Sequence, residues 1–461
     1  MANLPYAPVW TDGPQGTVSV RNPKYGAYGD GVHDDTAAIN AALTAGAGST
    51  VYLPPGTYIV SSPVVIPAAT ALVGAGRAQS TILASSTGAW ALPSPSGWPA
   101  IVGSVNSDDV TVANLAVDAN LQVASGVAIL GGDRPRLLDC QISNTAIHSG
   151  AHFFGEQAPG VNPVRYGTMR GNLVVNCVYG LVFDGTVQNS IMEANQAVSD
   201  GTSGSPMTSP ISLDGTQGGP GGSNNCVLGN VCLGINNGPG PSMVVFTQAD
   251  AVVSGNILAA CAATGEAMAH LAVFTGSFSG NIFDNGSAQA AYGIWISEYV
   301  EVVGSGNYIN NAATGLITDA GNATRRAVLR DTVMISCPTP INANSYGQYY
   351  DFGGAQLDHL AYRPSLAPAA TPFVSGTAYQ NTYALPVRIY QPVYATTAGT
   401  AGTVEVAVGN GGAPAALYTR QVSGASTNAQ PDVIDVDVPA GFWYSFTATG
   451  ATLANAVIIG R

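Results

Sequence analysis

Two aspartates in the middle of the chain have the residue type and setting for paired acid–base chemistry. Each ends a short apolar run, in Gly180-Leu-Val-Phe-Asp184 and in Pro210-Ile-Ser-Leu-Asp214. Close carboxylates raise each other's proton affinity, so one can stay protonated as a general acid while the other is ionised. Hydrolysis of a glycosidic bond needs such a pair. The alternative is that both aspartates cap turns that happen to recur, since a glycine follows each of them.

A second group of titratable residues lies just upstream, within residues 148–166, which we interpret as a loop. His152 and Glu156 are candidates for a further catalytic acid or base. Candidates for contacts to substrate are His148, Arg165 and Arg170, together with two residues that are suited to stack on sugars, Tyr179 and Trp295. A second predicted loop covers 200–224. Loops on a rigid scaffold are where binding residues concentrate.

A repeat indicates the elements that position these residues. Gly-Asn followed by apolar residues occurs at 171, 229, 255, 280 and 306, with degenerate copies at Asn114, Cys140 and Asn195. The spacing stays near 25 residues, apart from gaps of 32 and 35. This period predicts a solenoid in which each repeat is one turn. Equivalent residues of successive turns then lie about 4.8 Å apart, which brings Asp184 and Asp214 together. The repeated asparagines are predicted to be structural, bonding from turn to turn.

The pattern predicts an all-β chain with several segments. An N-terminal arm (1–20) precedes a parallel β-helix (21–360), which has a capping region (21–80) and turns over about 81–350. Asp34 or Asp35 is placed to cap a short helix from Thr36 to Ala45. A Pro-rich linker (361–378) leads to alternating strands over 379–461, predicted to form an antiparallel β-sandwich. There, core packing of Trp443, Tyr444 and Phe446 is favoured over a sugar platform.

The opening segment carries a specific resemblance. The run Gly29-Asp30-Gly31-Val-His33-Asp34-Asp35-Thr36, followed by Pro54-Pro55-Gly56-Thr-Tyr58, resembles the start of right-handed parallel β-helix proteins of the pectate-lyase superfamily. In pattern it is similar to phage tail spikes and to chains related to glycoside hydrolase family 28. The resemblance implies a single-stranded right-handed β-helix and a C-terminal module that serves trimerisation or glycan contact. It also implies a homotrimer, attachment to a phage tail through the N-terminal arm, and a virion-tail or extracellular location.

The distribution of charged residues limits the classes of molecule that the protein is expected to bind. The net charge is −13, Lys24 is the only lysine, and residues 171–324 contain no Lys or Arg. A nucleic-acid groove needs cations, so no nucleic-acid partner is expected. No apolar stretch is long enough to span a membrane, and the first residues do not form a secretory signal peptide. No cofactor or metal is expected, although calcium is possible; cap and turn roles are favoured over a metal site for Asp30, His33, Asp34 and Asp35.

These observations favour a polysaccharide depolymerase that hydrolyses glycosidic bonds with Asp184 and Asp214. One alternative is a non-catalytic tail component or adhesin that binds glycan. A second alternative is a lyase, which needs a cation to neutralise the uronate. In the acidic stretch 171–324 that cation would have to be calcium. The upstream arginines, from Arg134 to Arg170, are suited to hold an acidic sugar. The Asn-Thr-Asp, Gly-His-Gly and Arg-Ile-Lys motifs of polygalacturonases are missing, so galacturonan specificity is not supported.

Overall fold

The structure is a computed structural model that describes two compact units of the chain, which divide near residue 350. In the first unit it describes residues 16–94, 96–155, 160–199, 207–215, 221–234, 240–260, 266–286, 289–297, 300–318, 326–343 and 349–350. In the second it describes 351, 375, 379–380, 387–395, 402–409, 416–422, 432–438, 443–449, 451–453 and 457–460.

The first unit is the predicted parallel β-helix, with three columns of strands that run parallel from turn to turn. The first column consists of Val64–Val65, Ala100–Val105, Ser125–Leu130, Ser149–Gly155, Tyr179–Gly185, Ser209–Asp214, the start of Met243–Ser254, the start of Ala267–Ser279, Ala290–Ile296, Ala312–Thr318 and Thr339–Ala343. Four short strands follow its corner, namely Gly132–Asp133, Val164–Arg165, Val187–Gln188 and Gly222–Ser223.

The other two columns close each turn. The second column consists of Thr17–Ser19, Thr50–Leu53, Ala71–Gly74, Thr111–Ala113, Arg136–Leu138, Thr168–Arg170, Ile191–Glu193, Cys226–Leu228, the ends of Met243–Ser254 and Ala267–Ser279, Glu301–Ser305, Arg326–Arg330 and Tyr349–Asp351. The third is a separate sheet of Asp30–Asp34, Gly56–Val60, Ser80–Ala84, Ala116–Asp118, Gln141–Ser143, Leu173–Val175, Gln196–Val198, Val231–Leu233, Ile257–Ala259, Ile282–Asp284, Tyr308–Asn310 and Val333–Ile335.

An asparagine ladder joins the turns between the second and third columns, as predicted. The side-chain oxygen of Asn230 accepts bonds from the backbone N–H and the side-chain amide of Asn195, at 3.0 and 2.9 Å. The same pair of bonds recurs along a buried series of Asn172, Asn195, Asn230, Asn256, Asn281 and Asn307. A buried amide whose bonds are all made fixes the register of the turns.

The residue before each ladder position has left-handed backbone geometry, which explains the repeated glycine. Gly229 and Gly255 have φ of +59° and +67°, a region that costs glycine nothing. One degenerate copy was assigned one residue too early, because the ladder position of its turn is Leu115 and not Asn114. Asn114, with φ of +53°, occupies the glycine position, and its N–H bonds Leu138 as that of Gly171 bonds Glu193. Leu115 therefore holds the place that Asn172 holds two turns later.

Strand alternation separates an inner and an outer face in the first column. Phe153, Phe183, Leu213, Val245 and Leu271 are in register on successive turns and are all fully buried. Their neighbours at even positions point the opposite way because successive side chains of a strand alternate. The face that carries these neighbours and their register partners on other turns is called the outer face below.

The N-terminal end agrees with the sequence except in the arm. The helix spans Thr36–Ala45, and the Asp34 carboxylate accepts the Thr36 N–H at 2.9 Å. Asp35 instead accepts the N–H groups of Tyr28 and Gly29, at 2.6 and 2.9 Å. The prediction that the arm is irregular to residue 20 is wrong at its end, because Thr17–Ser19 pairs with Thr50–Tyr52 as a first strand.

The second unit contains two antiparallel sheets. One consists of Tyr379–Gln380, Gly402–Gly409, Ala416–Val422 and Trp443–Thr449, and the other of Val387–Ala395, Asp432–Val438, Ala451–Leu453 and Val457–Gly460. Tyr444 and Phe446 are buried, which confirms core packing for these two, whereas Trp443 is half-buried. Ser375, which the sequence assigned to the linker, accepts the Ala448 N–H at 2.8 Å; the linker otherwise lies outside the described residues. No helix in the described part of the chain is long and apolar enough to cross a membrane.

Candidate active site

Asp184 and Asp214 lie side by side on the outer face of the first column. They are register partners on the neighbouring strands Tyr179–Gly185 and Ser209–Asp214, so their backbones are about 4.8 Å apart. The residues before them, Phe183 and Leu213, are fully buried on the inner face. The solenoid therefore places both carboxylates on the same outward surface, with Asp184 17% exposed and Asp214 more exposed.

The two carboxylates of this pair differ in their surroundings. The pKa of Asp214 is raised to about 6, first by burial and then by the negative charge of Asp184, while His152 acts in the opposite direction. Asp214 reaches solvent, yet enough protein surrounds it to disfavour its charge. Asp214 can therefore hold a proton at mildly acidic pH, as a general acid must.

His152 adjoins Asp184 from the upstream side. It lies on the strand Ser149–Gly155, which is buried along its whole length, so the prediction of a loop over 148–166 is wrong there. Its Phe153 neighbour stacks on Phe183 at 5.6 Å between ring centroids, and this inner contact makes the segment a turn of the solenoid.

The ring of His152 is 2% exposed, and its Nε2 lies 3.4 Å from Asp184 Oδ2. This distance allows charge attraction, but the contact lacks the angle of a hydrogen bond. Within the described residues neither ring nitrogen has a hydrogen-bond partner. A buried ring without hydrogen bonds lowers the stability of the protein. The position of His152 beside Asp184 therefore indicates a functional role.

A hairpin between Trp90 and Ala100 covers the outer face upstream of the carboxylates. Its ends are joined by bonds from Ala100 N to Trp90 O and from Leu92 N to Trp98 O, each 2.9 Å. Trp98 packs on Phe154 at 4.8 Å and on His152 at 5.1 Å between centroids. The covered residues form a small second core of Leu92, Ala100, Ala128, Leu130, Phe154 and Val161. We call this segment the upstream hairpin.

Downstream of the carboxylates the outer face has a row of aromatic rings. Phe246 is the register partner of Asp214 and meets His270 edge to face at 4.7 Å. His270 stacks on Trp295, with centroids 4.0 Å apart and planes 4° from parallel. Ser297 Oγ lies 2.9 Å from His270 Nε2 and fixes that ring. All three rings are half-buried. We call Phe246, His270 and Trp295 the aromatic row.

The remaining predicted site residues do not all lie on this face. His148 is half-buried against Trp98 at 5.5 Å, and burial lowers its pKa, with a smaller contribution from His152. Tyr179 is 40% exposed at the start of the strand that ends with Asp184. Arg165 and Arg170 lie on other strands, where they pair with Asp133 at 3.6 Å and Glu193 at 3.5 Å. Glu156 lies outside the described residues.

The second predicted loop, 200–224, was also partly wrong, since it contains the strands Ser209–Asp214 and Gly222–Ser223. Three site residues were missed. Phe246 ends the apolar run Ser242-Met-Val-Val-Phe246, as Asp214 ends its own run. His270 lies on the strand Ala267–Ser279, which does not begin with a glycine such as Gly180 in the run that ends in Asp184. Trp98 lies in an excursion from the repeat, so spacing gave no signal for it.

No group of three His, Cys, Asp or Glu residues suited to a metal ion occurs in the part of the chain that the structure describes. The acidic cluster near the N-terminus is used locally. Asp30 accepts the backbone N–H groups of Val32 and His33, and its carboxylate lies 2.7 Å from the His33 ring. Calcium binding therefore stays a prediction without a located site.

Comparison with known proteins agrees with this architecture. Residues 18–198 match a family model described as rhamnogalacturonase A/epimerase, pectate lyase-like. The resemblance predicted from the opening motif is thus confirmed for this part of the chain.

Curated relatives match only short stretches. A non-secreted LysM effector, LysM15, of Penicillium expansum is 46% identical over 96 residues, which are 18% of this chain and 6% of the relative. A probable glucan endo-1,3-beta-glucosidase of Arthroderma benhamiae is 48% identical over 67 residues, 12% of this chain and 8% of the relative. The chain therefore spans less than a tenth of the length of these relatives.

Solved structures share the fold. The A-module of the mannuronan C-5 epimerase AlgE6 of Azotobacter vinelandii has a TM-score of 0.51 at 15% identity, covering 74% of this chain and 100% of the module. ORF18 of Geobacillus virus E2 has a TM-score of 0.51 at 17% identity, covering 91% of this chain and 76% of the viral one. At these identities the similarity concerns the fold alone.

Proposed function

We propose that this protein is a carbohydrate-active enzyme that hydrolyses glycosidic bonds of a polysaccharide with Asp184 and Asp214. One observation carries the proposal. Two carboxylates are register partners on an outward surface, and the pKa of one of them is raised to about 6. The names of the matched family model and of the glucosidase relative support action on a glycan.

In this mechanism the protonated Asp214 donates its proton to the glycosidic oxygen as the bond breaks. Asp184, in its ionised form, stabilises the positive charge that develops on the sugar and acts as nucleophile or as base toward water. His152 lies on the far side of Asp184 from Asp214's strand and favours its negative charge when protonated. The configuration of the first product, followed by NMR, assigns retention or inversion.

A second candidate is a glycan-binding component of a phage tail without catalysis. It is favoured by the viral relative of the fold, whose similarity extends over 91% of the chain. On either proposal the protein would act on the virion tail or outside the cell, and the homotrimer stays a prediction. Lyase or epimerase chemistry ranks lower, because residues 171–324 supply no Lys or Arg to neutralise a uronate.

The test compares Asp184→Asn and Asp214→Asn with wild type on a broad polysaccharide panel. Each variant should lower the release of reducing ends by about 10³-fold, the scale of general acid–base catalysis. Asp250→Asn is the matched control, because Asp250 is an exposed aspartate of the same solenoid with φ of +52°, which asparagine tolerates. It should retain full activity.

Folding is checked by thermal unfolding of all three variants. An inactive wild type that still binds glycan would favour the tail component instead. A product with a new ultraviolet absorption would show elimination and overturn the hydrolase.

A further inference from the structure

The outer face of the first column is asymmetric about the carboxylate pair. Immediately upstream, Phe154 is the register partner of Asp184 and is 2% exposed beneath the upstream hairpin. Immediately downstream, Phe246 is the register partner of Asp214 and is half-buried on the open side. A polymer that reaches the carboxylates along this face therefore has room on the downstream side.

The downstream side has side chains suited to sugar. Phe246, His270 and Trp295 occupy successive strands, so the aromatic row extends over three strand spacings from Asp214, about 14 Å. The stacking of His270 on Trp295 and the contact with Ser297 hold these rings in place, which reduces the entropy lost when a ligand binds. Aromatic rings bury the apolar faces of sugars, while Trp and His also offer polar ring edges to hydroxyl groups.

Charge selects among glycans. The face carries two neighbouring carboxylates, and the sequence from 171 to 324 supplies no Lys or Arg to balance the charge of an acidic ligand. The nearest upstream arginines, Arg165 and Arg170, lie on other strands in pairs with Asp133 and Glu193. A polyuronate laid along the aromatic row would bring like charges together, whereas a neutral chain would not.

We infer that the aromatic row is the binding site for an uncharged glycan, which extends downstream from Asp214 and is stopped upstream by the hairpin that carries Trp98. This inference rests on the proposed function for the identity of the ligand as a glycan. It goes further by fixing the direction in which the ligand extends and its class, a neutral polysaccharide rather than a polyuronate.

The experiment uses the full chain carrying Asp214→Asn alone, which removes the proposed general acid, so that binding is measured without turnover, and keeps the Asp184 carboxylate on the outer face. Arrays of neutral, amino-sugar and uronic-acid oligosaccharides of equal length are the probes, and hits are quantified by calorimetry. Neutral glycans should bind, with uronates at least about tenfold weaker. Adding Phe246→Ala or Trp295→Ala should weaken binding of the best neutral probe by about tenfold each.

Tyr166→Ala is the matched control, since Tyr166 is an aromatic residue 55% exposed elsewhere on the solenoid; affinity should not change. Uronates that bind as tightly as neutral glycans, the absence of any binding, or unchanged affinity in the Phe246 and Trp295 variants would each overturn the inference. Binding with the predicted pattern but no turnover by wild type would uphold it and overturn the hydrolase.

Discussion

The upstream and downstream halves of the outer face share one strand geometry but differ in accessibility. Upstream, the strands Ser125–Leu130 and Ser149–Gly155 are buried on both faces, because the upstream hairpin packs over them. Downstream, the same register positions hold Phe246, His270 and Trp295 on a half-exposed surface. The carboxylate pair lies at the border. One added hairpin thus turns a uniform solenoid surface into a site with a closed and an open end.

The position of the carboxylate pair between the two halves also determines the pKa of Asp214. Burial by neighbouring protein is the main cause of the raised pKa of Asp214, and the charge of Asp184 adds to it. His152, which is buried beside Trp98, acts in the opposite direction and lowers the pKa of Asp214. The covered half thereby tunes the pair, and the open half offers the surface for a ligand.

The largest expected effect comes from breaking the scaffold that both halves share. Asn230→Ala removes the bond that each of three groups makes to the Asn230 side chain, namely the Asn195 N–H, the Met192 carbonyl and the Asn195 amide, which keeps only its bond to the Met169 carbonyl. Each buried group left unpaired costs about 1–3 kcal/mol, so the unfolding free energy should fall by about 4 kcal/mol. Chemical denaturation measures this. Exposed Gln196→Ala is the control and should stay within about 0.5 kcal/mol of wild type. An equally small effect for Asn230→Ala would show that the asparagine ladder does not stabilise the fold.

The next largest effect is expected when the upstream half of the outer face is uncovered. Trp98→Ala removes the ring that covers Phe154 and His152. We expect a loss of about 2–3 kcal/mol in unfolding free energy, below the range for a fully buried tryptophan because Trp98 is half-buried. Thermal unfolding and glycan binding are measured together. Affinity should hold if the ligand lies downstream only; a loss as large as that of Phe246→Ala would contradict the comparison.

His152→Leu tests the contact between the covered upstream half and the carboxylate pair. We expect kcat/KM to fall about tenfold, or about 1.4 kcal/mol of transition-state stabilisation, because Asp184 loses its buried neighbour. Stability should not fall, since two unpaired ring nitrogens are removed. The alkaline limb of the pH–rate profile should move to higher pH, because His152 lowers the pKa of Asp214. A lower Tm with an unchanged pH profile would indicate a merely structural role.

The smallest effect concerns the titration of Asp214. Its raised pKa means that a rate dependent on its proton falls as pH rises through about 6. In Asp184→Asn the pKa of Asp214 should move toward its ordinary value but stay above it, since burial is the larger cause and remains. Carboxyl ¹³C NMR measures both titrations. No change, or a rise, would mean that the two carboxylates do not interact.

The site was predictable wherever it follows the repeat. Asp184 and Asp214 were aligned because each ends the same apolar run, and the structure makes them register partners. His152 was placed on a loop because the gap between the copies of the repeat at Cys140 and Asn172 is 32 residues, and its extra length was interpreted as an insertion. Trp98 gave no sequence signal, since the upstream hairpin interrupts the period and contacts residues more than 50 positions away.

By itself the sequence determined how the chain winds: the period, the left-handed glycine turns and the buried asparagines specify turns with fixed register, since these are local preferences repeated at a constant interval. It also determined that two carboxylates end neighbouring strands. Only the tertiary structure decided which end of the outer face is covered, which group lies beside Asp184, and why Asp214 holds its proton. Those properties depend on packing between segments far apart in the chain, where burial and charge act through space.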